Sequence, residues 1–211
     1  MTQKQSYFIE CLQGAGKSTL VNRLAENYPE KKVCREGDYT PVDLAWCAYV
    51  DETTYQDIPA RFPSLSEEMA KYAVPEDEIF ECAMFQNILE NMMLYLQMQD
   101  DEILAFYRKM HEILQNKPYK ILYLDVGDIA GSLEVIKKER ADENGVELWF
   151  PLMVSYIEAS PYGQMHGLWG KEGLLKHLER REQLERKLIK EVFGKETIVL
   201  KAKAYDIETI P

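Results

Sequence analysis

Tyr7-Phe8-Ile9-Glu10-Cys11-Leu12-Gln13-Gly14-Ala15-Gly16-Lys17-Ser18-Thr19, followed by Leu20, Val21 and Leu24 at helical spacing, decides how this chain is read. An apolar run enters a glycine-rich loop, and the apolar period then changes from that of a strand to that of a helix. Glycines let the backbone curl tightly enough for successive N–H groups to converge on one anion, and the helix N-terminus brings its positive dipole end to the same point. Lys17 supplies a cation for the terminal phosphates of a nucleotide, and the Ser18 hydroxyl suits Mg²⁺. The spacing is that of the phosphate loop G-x-x-x-x-G-K-[ST], except that Cys11 stands where the first glycine is expected. A side chain there costs about 1–2 kcal/mol if the position requires positive φ, and little if the backbone is extended. Gln13, Gly14, Ala15, Gly16, Lys17, Ser18 and Thr19 are the candidate nucleotide-binding residues.

Outward from this loop the element types alternate. Lys31-Lys32-Val33-Cys34-Arg35 suits a second short strand and Ile79-Phe80-Glu81-Cys82 a third, with Pro59, Pro63 and Pro75 breaking the stretch between them. Residues 87–98 form a helix that is apolar nearly all round, which implies burial or contact with a second copy. Ile103, Phe106, Tyr107, Met110, Ile113 and Leu114 mark one face of a helix starting near Asp100, where acidic residues favour the N-terminus. Residues 119–126 make the clearest strand; residues 130–138 and 174–193 read as helices, and 197–201 as the last strand. Strands alternating with helices predict a single α/β domain over 1–211, with helices flanking a mainly parallel sheet of about five strands.

Composition narrows the function. The 211 residues carry 25 basic and 36 acidic side chains, a net charge of −11, and residues 51–105 alone hold 13 acidic and two basic ones. Such a chain is poorly suited to nucleic acid or an anionic membrane, both of which reward clustered Lys and Arg. No apolar run approaches the roughly 18 residues of a membrane span, and no leader-like segment opens the chain, so a cytoplasmic protein is expected. Four widely spaced cysteines, Cys11, Cys34, Cys47 and Cys82, give no support to a disulfide framework or zinc knuckle. His111, His166 and His177 lack metal-like spacing. The sign-alternating run from Lys171 to Lys190 reads as a solvated helix face.

The opening residues 8–19 resemble the deoxynucleoside kinases, which group with thymidylate kinase among the P-loop nucleoside and nucleotide kinases. The resemblance implies the three-layer P-loop fold, ATP and Mg²⁺ as cofactors, and a (deoxy)nucleoside whose 5′-hydroxyl accepts the γ-phosphate. That family ends its second strand in a glutamate followed by proline and tryptophan; here Glu36 precedes Pro41, Val42 and Trp46, with Gly37 to Thr40 interposed. By resemblance Glu36 is the base that takes the hydroxyl proton, and Trp46 borders the nucleoside. The family's arginine-rich lid, R-x-R-x-x-E, is matched by Lys138-Glu139-Arg140-Ala141-Asp142-Glu143, lysine replacing the first arginine, which places a lid near 138–146 with Lys138 and Arg140 closing over the transferred group. The family's Glu-Arg-Ser becomes Glu81-Cys82-Ala83: the glutamate that helps hold Mg²⁺ is kept, while the arginine and serine are not.

Two carboxylates compete for the metal beside Ser18. Glu81 lies in an apolar stretch where an unpaired charge is costly, whereas Asp125 ends a strand and equally suits a turn before Gly127. Tyr39 and Gln86 join Trp46 as candidate substrate contacts, an aromatic face stacking a base and an amide pairing with its edge. The scarcity of basic residues between Asp51 and Phe106 favours an uncharged acceptor over a nucleoside monophosphate. A nucleotide-binding protein without kinase chemistry is the alternative that the missing arginine at Cys82 would fit. The Met-rich segment from Met84 to Met98 leads to the expectation of a homodimer.

Overall fold

A computed structural model describes residues 4–35, 77–114 and 116–210. Glu36, Tyr39 and Trp46 lie outside the described residues. Five strands, β1 (Ser6–Glu10), β2 (Lys32–Cys34), β3 (Glu78–Glu81), β4 (Tyr119–Asp125) and β5 (Thr197–Lys201), form one parallel sheet in the order β2-β3-β1-β4-β5. Seven α-helices among the described residues flank it: α1 (Lys17–Asn27), α2 (Gln86–Leu94), α3 (Asp100–Leu114), α4 (Ile129–Glu139), α5 (Trp149–Ala159), α6 (Pro161–His166) and α7 (Gly170–Glu191). This is a three-layer α/β fold. No helix among the described residues is long and apolar enough to cross a membrane.

Successive side chains of a strand point to opposite faces, and the two cores follow that period. Tyr7 and Ile9 of β1, Ile79 of β3 and Leu122 and Leu124 of β4 pack with Leu20, Val21 and Leu24 of α1. Phe8, Phe80, Ile121 and Tyr123 face the other way, toward α2, α3 and α7, with the Phe8 and Phe80 rings stacked at 4.8 Å. The alternation also turns Glu10 into this second core, where it is fully buried.

The helix ends carry their expected signals. Asp100, Asp101 and Glu102 fill the first turn of α3, the Asp128 carboxylate accepts from Gly131 N to cap α4, and Ser160 caps α6 with Pro161 at its first position. Helices α5 and α6 are not anticipated by the pattern of residues 149–166, since Trp149–Ala159 shows no single apolar stripe. Every residue of α2 is buried within the chain, which is the burial that its all-round apolar character implies.

Residue α7 stripes correct a second expectation: the helix is not simply a solvated charged face, because His177, Arg181 and Glu185 are buried along one side of it.

Candidate functional site

Strand β1 is the centre of the sheet. The connection leaving it reaches β2 by passing β3, the chain then returns to β3 beside β1, and the connection from β3 crosses past β1 to β4, so the carboxyl end of β1 is the point of strand-order reversal where open α/β sheets bind ligands. The chain turns there through Gln13–Gly16. Gly14 has φ +78°, and a Cβ on it would lie 2.0 Å from Cγ1 of Ile136; Gly16, the residue before α1, has φ +94°. Both glycines are thus demanded by backbone angle, and Gly14 also by the approach of α4. No side chain caps the start of α1, so its first-turn N–H groups face the loop, an arrangement suited to an anion.

Cys11 is not among the residues with positive φ, so the missing first glycine introduces no backbone strain. The strain falls instead on Cys82, with φ +62°. The Cys11 thiol donates to Leu12 O at 2.9 Å, and burial pushes its pKa up to about 11, which makes it an inert packing group.

The Lys17 ammonium donates to Gln86 Oε1 at 2.8 Å, Leu12 O at 3.2 Å and Cys11 O at 3.3 Å. Burial and the Arg181 charge work against its own charge, while neighbouring groups, the Glu10 carboxyl among them, act the other way and hold its pKa above the usual lysine value. Ser18 Oγ donates to Glu81 Oε1 at 2.5 Å, and Arg35 lies 3.9 Å from the other Glu81 oxygen. Because β3 is an interior strand, Glu81 is almost fully buried rather than a water-facing edge residue. Asp125 instead accepts from Gly127 N at 2.9 Å and from Arg186 at 2.7 Å, closing its own turn.

Mg²⁺ is usually held by one or two protein oxygens, with water and phosphate oxygens completing its octahedron. The adjacent Ser18 hydroxyl and Glu81 carboxylate fit that requirement, and no cluster of three or more acidic, His or Cys side chains among the described residues offers a dedicated cage.

A cleft of about 710 Å³ opens over the loop. Gln13 to Thr19 and Glu81 line one wall. The facing wall is made by Gln86, Asn87, Glu90 and Asn91 of α2 with Trp149, Met153 and Tyr156 of α5. Arg140 stands at the rim with its guanidinium 5.4 Å from the Trp149 ring. Lys138, expected beside it, is exposed and does not line the cleft. Lys203 and Arg23 do line it, and nothing in their sequence surroundings marks them. A smaller hollow of about 220 Å³ shares Gly14, Ala15 and Lys203 with the cleft and extends along α4. The amides of Asn87 and Asn91 and the Glu90 charge belong to no recognisable motif. A charged and amide-rich row inside the apolar residues 79–98 is the signal that points to them.

No family model and no curated protein matches the chain. Among solved structures the chain is similar to the YorR protein of Bacillus subtilis in complex with phosphorylated GDP, at 14% identity and a TM-score of 0.48, over 97% of this chain and 90% of that one. It is similar to deoxyadenosine kinase from M. mycoides with bound dATP, at 18% identity and a TM-score of 0.45, over 97% and 94%. It is also similar to shikimate kinase from Bacteroides thetaiotaomicron, at 16% identity and a TM-score of 0.44, over 99% and 93%. By its own geometry, a central parallel strand running through a glycine-rich loop into a helix, the chain has the three-layer α/β P-loop fold.

Proposed function

We propose that the protein is a kinase that binds ATP·Mg at residues 13–19 and transfers the γ-phosphoryl group to a hydroxyl of an uncharged small molecule, a nucleoside by the resemblance of its motifs. The observation that carries this reading is the pairing of Ser18 with Glu81 at 2.5 Å beside the Lys17 ammonium, on the floor of a cleft large enough for two ligands. Lys17 and the loop N–H groups would hold the phosphates in place. Bound Mg²⁺, held by Ser18 and Glu81, would offset charge on the phosphate oxygens. In the transfer the acceptor oxygen bonds to the γ-phosphorus, the bond to the β–γ bridging oxygen breaks, and ADP leaves with that electron pair. The hydroxyl proton passes to a carboxylate base, which the resemblance assigns to Glu36. Arg140 at the rim is placed to meet charge developing on the transferred group.

The acceptor wall supports a neutral partner. Asn87 and Asn91 offer amides, and Trp149 and Tyr156 aromatic faces, a set suited to a neutral polar ligand, while the cations Arg23, Arg140 and Lys203 of the cleft lie on other elements than α2. The preference for a neutral acceptor over a nucleoside monophosphate rests on the scarcity of basic residues between Asp51 and Phe106. The second reading, a nucleotide-binding protein without transfer chemistry, draws on Cys82, which stands where the family resemblance expects an arginine. The test is ATP consumption by the purified protein with Mg²⁺ against nucleosides, nucleoside monophosphates and small polyols, with Lys17→Ala as control. Phosphorylation of a neutral acceptor, lost in the control, supports the kinase. ATP·Mg binding without transfer to any member of the panel leaves the binding protein.

A further inference from the structure

Beneath the phosphate loop lies a set of buried charged groups that phosphoryl transfer does not use. His177, Arg181 and Glu185 follow one another at four-residue intervals along α7, and all three are at most 1% exposed. Glu90 of α2 faces them. His177 Nε2 lies 2.5 Å from Glu90 Oε2, and Arg181 Nη1 donates to Glu90 Oε1. Arg181 Nε is 3.1 Å from Glu185 Oε1, and the Tyr123 hydroxyl donates to the second Glu185 oxygen at 2.8 Å. Finally, Arg181 Nη2 donates to the backbone carbonyl of Cys11 at 3.2 Å, the same oxygen that receives Lys17.

Stability alone is a poor reason to keep such a network. Removing each ion from water costs several kcal/mol, and replacing a buried pair by apolar side chains is often neutral or stabilising. What apolar packing does not provide is a directed hold on a backbone carbonyl. A guanidinium does, because its rigid fork engages several acceptors at fixed angles. Burial would raise the Glu90 pKa, but the His177 ring and the Arg181 charge outweigh it and hold the carboxyl at about 2, whereas burial pushes the Glu185 carboxyl up, so the charged grip on Arg181 comes from Glu90.

We infer that Arg181 is a positioning residue for the phosphate loop: gripped by Glu90 and Glu185, it fixes the Cys11 carbonyl at the loop's entrance and couples that loop to Glu90 on the facing wall of the cleft. Its effect on nucleotide affinity rests on the proposed ATP site, whereas the clamp itself does not. A hydrogen-bonding ligand seated on Glu90 is then felt at the loop without touching it.

The test uses Arg181→Lys, Glu90→Gln and the triple variant Glu90→Leu/Arg181→Met/Glu185→Leu in the full chain. Hydrogen exchange of amides 13–19 without nucleotide, thermal unfolding and calorimetric titration with ATP·Mg are the readouts. Lysine keeps the charge but lacks the fork. Loop amides in Arg181→Lys should exchange about tenfold faster while β4 amides keep their protection, and ATP·Mg should bind about tenfold more weakly. Glu90→Gln should act in the same direction, and it decides the matter by the same readout if Arg181→Lys does not fold. The triple variant should regain thermal stability relative to Arg181→Lys without regaining loop protection. Unchanged loop exchange in a folded Arg181→Lys, or loop protection returning together with stability in the triple variant, would overturn the inference. A wild-type protein that takes up no ATP·Mg would sink the proposed function, while the exchange rates still decide the role of Arg181.

Discussion

The Lys17 ammonium and the Gln86 side-chain oxygen are 2.8 Å apart, so the cation of the phosphate loop is bonded directly to the first residue of the helix that lines the facing wall. Loss of a charge-assisted bond to a phosphate is worth about 1.5–3 kcal/mol. Lys17→Ala should therefore weaken ATP·Mg about 10- to 100-fold in a calorimetric titration, with a circular dichroism spectrum like that of the wild type.

Ser18 and Glu81 should separate metal binding from phosphate binding. Glu81→Gln retains a hydrogen-bond acceptor for Ser18 but removes the negative charge that a divalent cation needs. ATP·Mg affinity is expected to fall about tenfold, whereas ATP in excess EDTA should bind the variant at least as well as the wild type. Equal losses with and without Mg²⁺ would place the metal elsewhere.

Glu10 predicts a pH dependence of stability. Burial is the main cause that raises its carboxyl to about 7 from an ordinary 4.5, with the Glu185 charge acting in the same direction, against backbone N–H groups and Lys17 that lower it. A carboxyl that is harder to ionise in the folded state adds stability below pH 4.5, and this is lost as the pH rises through 7. Urea unfolding of wild type and Glu10→Gln should show the wild type losing about 3 kcal/mol relative to the variant between pH 4.5 and 8. A constant difference would mean that Glu10 ionises normally.

Gly14 couples the loop to α4. Alanine there meets both the positive φ and Ile136 Cγ1 at 2.0 Å, so Gly14→Ala should cost about 2–4 kcal/mol in thermal or chemical unfolding. Truncating the neighbour relieves the collision but not the backbone angle. A double-mutant cycle with Ile136→Ala should give a coupling of about 1–2 kcal/mol, and strict additivity would show that the two residues do not collide.

Arg140 and Lys138 differ in placement although only Glu139 separates them in the expected lid. Arg140→Ala should lower turnover about tenfold by removing a cation from the cleft rim. Lys138→Ala, altering an exposed side chain outside the cleft, should change turnover less than twofold. Equal effects would mean that both reach the transferred group.

The strand, loop and helix around Lys17 could be read from residues alone because glycine, lysine and the change of apolar period each have a local cause there. The long strand β4 and the acidic start of α3 were equally local. What escaped depends on partners distant in sequence. Arg181 looks like any charge on a sign-alternating helix, and only its contact with Glu90, 91 positions away, makes it part of the site. The positive φ of Cys82 was likewise hidden, since nothing in a Glu-Cys-Ala triplet announces a left-handed backbone. For Cys11 the reverse holds: the departure from the motif was visible, and the backbone there avoids the positive φ that would have made it costly. The apolar stretch around α2 correctly signalled burial, but sequence could not tell whether the covering surface belongs to the same chain.

The pairing of β1 with β3 and β4 has a kinetic consequence. Ser18 and Glu81 are separated by 63 positions, and no contact between neighbouring residues brings them together. Closing such a span loses chain entropy before the contact returns any energy, which slows folds built from parallel strands. During refolding, helical circular dichroism should therefore recover first and metal-dependent nucleotide affinity last, so that a chain released early from a denaturant would look largely folded while still unable to retain Mg²⁺.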